Sequence, residues 1–103
     1  MVAYMNTYKL KKGASVPDFK QAVERLVKEI LANNKGAISF KLFAEGDGWA
    51  DCITWETMDA YSAFLKAAES NPTESALAFY AFINMNTCKS HVYTVEMNMK
   101  GDA

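Results

Sequence analysis

Polar and apolar positions alternate along residues 2 to 11, with Val2, Tyr4, Asn6, Tyr8 and Leu10 on one side and Ala3, Met5, Thr7, Lys9 and Lys11 on the other. That period of two predicts a first β-strand, which Lys12-Gly13-Ala14 breaks. From Ser15 the period changes. Phe19, Ala22, Val23, Leu26, Val27, Ile30 and Leu31 recur at helical spacing, and Lys20, Glu24, Lys28 and Glu29 fall off that stripe. Ser15 is placed to cap this helix, Pro17 lies in the tolerant first turn, and Asp18 sits near the positive end of the helix dipole. Asn33-Asn34-Lys35-Gly36 stops it, with Asn or Gly available for a left-handed cap. Residues 37 to 45 and 49 to 56 are β-rich runs flanking Gly46-Asp47-Gly48, the pattern of a hairpin. Thr57-Met58-Asp59 opens a second helix whose stripe is Tyr61, Phe64, Leu65 and Ala68. This helix breaks at Asn71-Pro72, because the residue before proline avoids the α region. Asn71-Pro72-Thr73-Glu74 then reads as a capping box that restarts the helix in a new direction, to about Phe82. Residues 76 to 83 are apolar nearly all round, which predicts burial on more than one side. Residues 88 to 97 alternate as a fourth strand, and Asn98 to Ala103 is a polar tail expected to fray.

The order βαββαβ predicts a single α+β domain over residues 1 to 103. Its expected topology is ferredoxin-like, a four-stranded antiparallel sheet with two helices, the second one broken, on one face. The other face needs an account. Strand two offers Ile38, Phe40 and Leu42 against Phe43, and strand three offers Trp49, Ile53 and Trp55 against Ala50 and Cys52, so both faces are expected to be at least partly covered. With helices enough for one face, the economical cover is the sheet of a second copy, which predicts a homodimer.

Composition narrows the partners. The formal charge of −1 gives no electrostatic footprint for nucleic acid or an acidic membrane. No window approaches the apolar run of a membrane span, and the N-terminus lacks a basic region followed by an apolar one, so a cytoplasmic location is expected. Cys52 and Cys88 fall inside predicted strands and read as reduced thiols rather than a disulfide framework.

Four kinds of residue could carry chemistry. Asn6 lies between Tyr4 and Tyr8, where a buried amide must be satisfied by a neighbouring strand or offered to a ligand. Asp51 shares a strand face with Trp49, Ile53 and Trp55. It either pairs with a donor, such as an indole N–H or Lys41 or Lys89 across the sheet, or titrates with a raised pKa that would suit proton transfer, or is simply solvated as a strand-end residue beside a glycine turn. His91, the one histidine, alternates in phase with Tyr93 and Val95, and reads either as an acid or base or as a strand histidine bonded to a neighbour. Trp49, Trp55, Tyr61, Phe64, Phe79, Tyr80 and Phe82 either form plain core or line an apolar cavity, which a break at Asn71-Pro72 would help to open. No phosphate-binding glycine loop, nucleophile elbow, CxxC or HExxH pattern occurs, and neither a metal nor a cofactor is expected.

The opening Asn6-x-Tyr8-x-Leu10-x-Lys12-Gly13 and the passage Trp49-x-Asp51-x-x-x-Trp55-Glu56-Thr57, in this order of elements, resemble the dimeric α/β-barrel superfamily, and within it the antibiotic-biosynthesis-monooxygenase-like branch. The resemblance implies a barrel built from two subunits' sheets and a cavity between sheet and helices for a small aromatic or lipophilic molecule. Some members of that superfamily oxidise their ligand without metal or flavin. Others degrade haem with an Asn on strand one, a Trp ending strand three and a His on the second helix. Asn6 and Trp55 match the first two, but residues 57 to 83 contain no histidine. The expected function is binding of a small apolar or amphipathic molecule, with Asn6, Tyr8, Trp49, Trp55, Tyr61, Phe64, Tyr80 and Tyr93 as contacts. The alternatives are a cofactor-independent monooxygenase-like enzyme using His91 or Asp51, and an interaction module with no ligand.

Overall fold

The computed structural model describes residues 1–101. Its elements are β1 (Val2–Leu10), α1 (Val16–Asn33), β2 (Ala37–Glu45), β3 (Gly48–Trp55), α2 (Met58–Ser70), α3 (Glu74–Tyr80) and β4 (Ile83–Thr94). All strand pairs are antiparallel and the sheet order is β2-β3-β1-β4, the ferredoxin-like arrangement. Among the described residues, no helix is long and apolar enough to cross a membrane. Of the tail expected to fray, residues 102 and 103 lie outside the described residues, and 98–101 belong to no element.

Local chemistry sets the boundaries. The Ser15 hydroxyl accepts a bond from the Asp18 N–H at 3.3 Å, which starts α1. Its end differs from the left-handed cap expected, because Asn34 is extended at φ −133°. The last open carbonyls are met instead by side-chain amides: Asn33 Nδ2 donates to Glu29 O and Asn34 Nδ2 to Ile30 O, both at 2.9 Å. The hairpin turn is tighter than expected, with Gly48 already in β3 and Gly46 at φ +58°, a conformation that suits glycine.

Two boundaries near α3 also depart from the pattern. The cap is Thr73, whose hydroxyl accepts from the Ala76 N–H at 3.2 Å, so Glu74 is the first helical residue and not the third residue of a capping box. β4 then begins at Ile83, five residues before the alternation suggested, and ends at Thr94. Ile83 pairs with Leu10 and Asn84 with Lys9, after which residues 85–88 of β4 face only Tyr8 of β1. This bulge is stitched by Thr87, which donates to Asn84 O at 2.6 Å and accepts from the Lys9 N–H at 2.9 Å. Its polar Asn84, Asn86 and Thr87 interrupt the period of two and hide the start of the strand.

The core has two halves on the helix-bearing face. One gathers Tyr8, Phe19, Val23, Phe79 and Ile83, and the other Val2, Ile53, Trp55 and Tyr61. α3 is not buried all round: Ala76 and Phe79 point inward, while Leu77 and Tyr80 are 55% and 43% exposed. A single short helix lying over α1 and β4 has one side left for solvent. The helix-free face is mixed rather than evenly apolar. By strand alternation it carries Met5, Phe43, Ala50, Cys52 and Tyr93, but also Thr7, Lys9, Lys41, Thr54 and Lys89. Ile38, expected beside Phe40 and Leu42, is turned outward where the β2–β3 register slips between Ala37 and Ser39.

Candidate functional site

One row of cross-strand neighbours explains why the core divides. Register places Leu42, Asp51, Asn6 and Ser90 side by side across β2, β3, β1 and β4, on the face that meets the helices. Three of the four are polar, so they interrupt the apolar surface between the two core halves. Their polar atoms satisfy one another. Asn6 Nδ2 donates to Asp51 Oδ1 at 2.9 Å, the Tyr8 hydroxyl donates to Asp51 Oδ2 at 2.8 Å, and the Ser90 hydroxyl donates to the Asn6 carbonyl oxygen. Tyr8 reaches Asp51 from the neighbouring row, across the diagonal of the β1–β3 ladder.

Asp51 is 5% exposed. Burial pushes its carboxyl above the usual range, and the donors Asn6 and Tyr8 offset part of that shift. The Tyr8 phenol is pushed up, first by burial and then by the neighbouring carboxylate, so it stays a donor. The expected partners of Asp51 are corrected here. Lys41 and Lys89 pair with Cys52 and Thr7, whose side chains project from the opposite face, and the indole N–H of Trp55 has no partner among the described residues. Asn6 and Tyr8 on the adjacent strand supply the donors instead.

Above this row the helices leave a cavity of about 210 Å³. Its floor is Asn6, Asp51 and Ser90. Its walls include Tyr4, Tyr8, Val23, Leu26, Ile30, Phe40 and Ile53, and its outer side is closed by Phe64 from α2, Phe79 and Tyr80 from α3, and Met85 and Cys88 from the β4 bulge. The break between α2 and α3 turns the helix layer so that Phe64 and Tyr80 come from different helices. Tyr80, Met85 and Ser90 are exposed as well as lining the cavity, which marks its mouth. An apolar pocket with a few convergent polar groups has the make-up of a small-molecule site.

The cavity brings together Asn6, Tyr8, Asp51, Phe64, Phe79 and Tyr80 among the residues singled out in the sequence. The others lie elsewhere. Trp49, partly buried, packs edge-on against Phe19 at 5.1 Å between ring centroids, and Trp55 and Tyr61 are buried against each other, so none of these three lines the cavity. His91 and Tyr93 pair with Met5 and Ala3, which places them on the helix-free face, stacked on each other and turned away from Asp51. Their phase follows from the bulge, which no alternation within β4 alone reveals. Ser90 and Met85 were missed for the same reason: only the shifted register brings Ser90 beside Asn6. Among the described residues no three His, Cys, Asp or Glu side chains cluster to hold a metal ion.

Fold and cavity together define a ferredoxin-like α+β protein with a polar-floored pocket between sheet and helices. Several solved structures share that fold. SnoaB, a cofactor-independent oxygenase from Streptomyces nogalater, is 18% identical, with 97% of each chain covered and a TM-score of 0.74. At3g17210 from Arabidopsis thaliana is 13% identical over 97% of this chain and 100% of its own, at a TM-score of 0.76. A Nitrosomonas europaea protein classed with the antibiotic biosynthesis monooxygenases is 12% identical over 94% of this chain and 100% of its own, at 0.70. The chain thus has the fold of antibiotic-biosynthesis-monooxygenase-like proteins, in keeping with the resemblance carried by its sequence. Neither a protein-family model nor a curated protein matches it.

Proposed function

We propose that the chain binds a small, mostly apolar molecule bearing a polar group, with the body of the ligand under α2 and α3 and the polar group on Asp51 and Asn6. One observation carries this reading: a buried carboxyl, held by Asn6 and Tyr8, forms the floor of an otherwise apolar cavity. Burying a carboxylate costs free energy that a well-packed apolar residue would not, so this position works against stability and has its use in what it faces. Native mass spectrometry of protein purified from cells is expected to show an organic molecule retained by the wild type and lost from Asp51→Leu, which removes the polar floor group. A chain that carries nothing, and that no member of a panel of phenols, sterols and aryl alcohols protects from heat, sinks the reading.

A cofactor-independent oxygenase is the second reading, favoured by the raised pKa of Asp51 and by the fold shared with SnoaB. Here the Asp51 carboxylate removes a proton from an activated CH2 group of an electron-rich ring system. Dioxygen then takes the electrons, one oxygen atom remaining as a carbonyl and the other leaving as water. Asp51→Asn would lower oxygen uptake by about 100- to 10,000-fold, the usual contribution of a general base, and His91→Ala would not. Equal loss in both variants speaks against this assignment.

The same proposal includes self-association through the helix-free face, where Phe43 and Tyr93 are 46% and 51% exposed. Two such sheets packed face to face would cover these side chains.

A further inference from the structure

Charge narrows what the site accepts. Among the described residues, no Lys, Arg or His lines the cavity, and Asp51 is the one carboxyl that does. A second concavity lies outside it, between α1 and the α2–α3 break, and shares Leu26, Ile30, Phe64, Ala68 and Tyr80 with the first, so the groove adjoins the cavity. Its polar lining is Glu29, Asn33, Asn34, Asn71 and Thr73, again with a carboxylate and no cation. The groups on Asp51 leave a particular vacancy. Each carboxyl oxygen accepts one hydrogen bond, from Asn6 or Tyr8, and each keeps capacity for a second donor, while the Asn6 carbonyl is already engaged by Ser90. A ligand that donates is met by a free acceptor. A ligand carboxylate meets a second carboxyl, with no cation in the lining to neutralise it.

We propose that cavity and groove together select neutral or cationic amphiphiles that donate a hydrogen bond, such as phenols, aryl alcohols and arylalkyl amines, and reject carboxylic acids of the same shape. This rests on the binding reading above and adds the ligand's charge class to it. Three matched probes test it: naphthylmethanol, naphthylmethylamine and naphthoate, substituted at the same ring position and titrated calorimetrically into the full chain at neutral pH. The alcohol and the amine are expected to bind at least about tenfold more tightly than naphthoate. In Asp51→Asn the gap should close to about threefold, mainly because naphthoate is admitted. Should that variant fail to fold, Glu29→Gln replaces it, and there the amine should weaken by about threefold relative to the alcohol. Naphthoate binding as tightly as the alcohol in the wild type overturns the charge selection and leaves the binding reading standing. So does a gap that persists unchanged in the folded variant. Binding of none of the three overturns both.

Discussion

A methyl group at position 36 has nowhere to go. A Cβ there would lie 2.5 Å from the Ala60 Cβ, and Gly36 has an ordinary backbone conformation, so its need is for close approach of α2 and not for a left-handed turn. Gly36→Ala should destabilise the fold by about 1–3 kcal/mol in urea unfolding, and Ala60→Gly in the same chain should recover much of the loss. At Asp51 the prediction concerns pH. Because its pKa is raised in the folded state, the folded chain holds this proton more tightly than the unfolded one, and the stability it contributes is greatest with the carboxyl protonated. That contribution falls as pH climbs from the ordinary carboxylate range through the raised pKa. The phenols that face it, Tyr8 and Tyr80, are themselves pushed up and carry no charge in that window, and comparison with Asp51→Asn isolates the carboxyl's own contribution. Unfolding midpoints measured from neutral pH downward should therefore show Asp51→Asn ahead of the wild type at neutral pH, with the lead shrinking on acidification. Tyr8→Phe removes one of the two donors to the carboxylate and should cost about 1.5–3 kcal/mol at neutral pH while extending the window upward. Asp51 and Asn6 could be picked out in the sequence because polar side chains among aromatics are conspicuous. Their partnership could not, since it depends on strand register.

At the scale of elements, α3 is the piece on which the cavity depends. Seven residues are too few for a helix to hold by propensity, and this one is kept by its cap and by a polar tie to α1. Ser75 donates to Glu29 Oε2 at 2.9 Å, and the Thr73 and Ser75 hydroxyls together hold the Glu29 carboxyl below its ordinary value. Thr73→Ala removes both the cap and a donor, and should lower stability by about 1 kcal/mol in chemical denaturation. Because α3 supplies Phe79 and Tyr80 to the cavity, the same change should also weaken any bound probe. The break at Asn71-Pro72 was legible from proline sterics, and so was the restart of the helix. The cap's position was not, because Asn71 and Thr73 both offer a capping side chain and only Thr73 accepts from the N–H three residues on, and the early start of β4 was not, because it depends on pairing with the distant β1.

For the molecule as a whole, the open question is what meets the helix-free face. The oily strip there is narrower than the strand pattern suggested, since three lysines share the surface. Phe43, Ala50, Cys52 and Met5 still form a continuous row of apolar neighbours across three strands. If two copies pack through it, sedimentation velocity should give a dimer for the wild type and a monomer for Phe43→Glu, in which a buried charge would face its own symmetry mate. A wild type that sediments as a monomer at micromolar concentration would remove self-association from the proposed function.

Local periodicity was enough to specify four strands, a long helix and a broken one, because a period of two or of 3.6 is imposed by backbone geometry on each segment separately. Net charge likewise needs no coordinates, since it is a sum over residues, and it set an expectation about partners. The pairing of Ser90 with Asn6, the exclusion of His91 from the cavity and the closing of the pocket by Met85 all follow from one bulge opposite Tyr8. That bulge is a relation between two strands about eighty residues apart, and only the assembled sheet decides it.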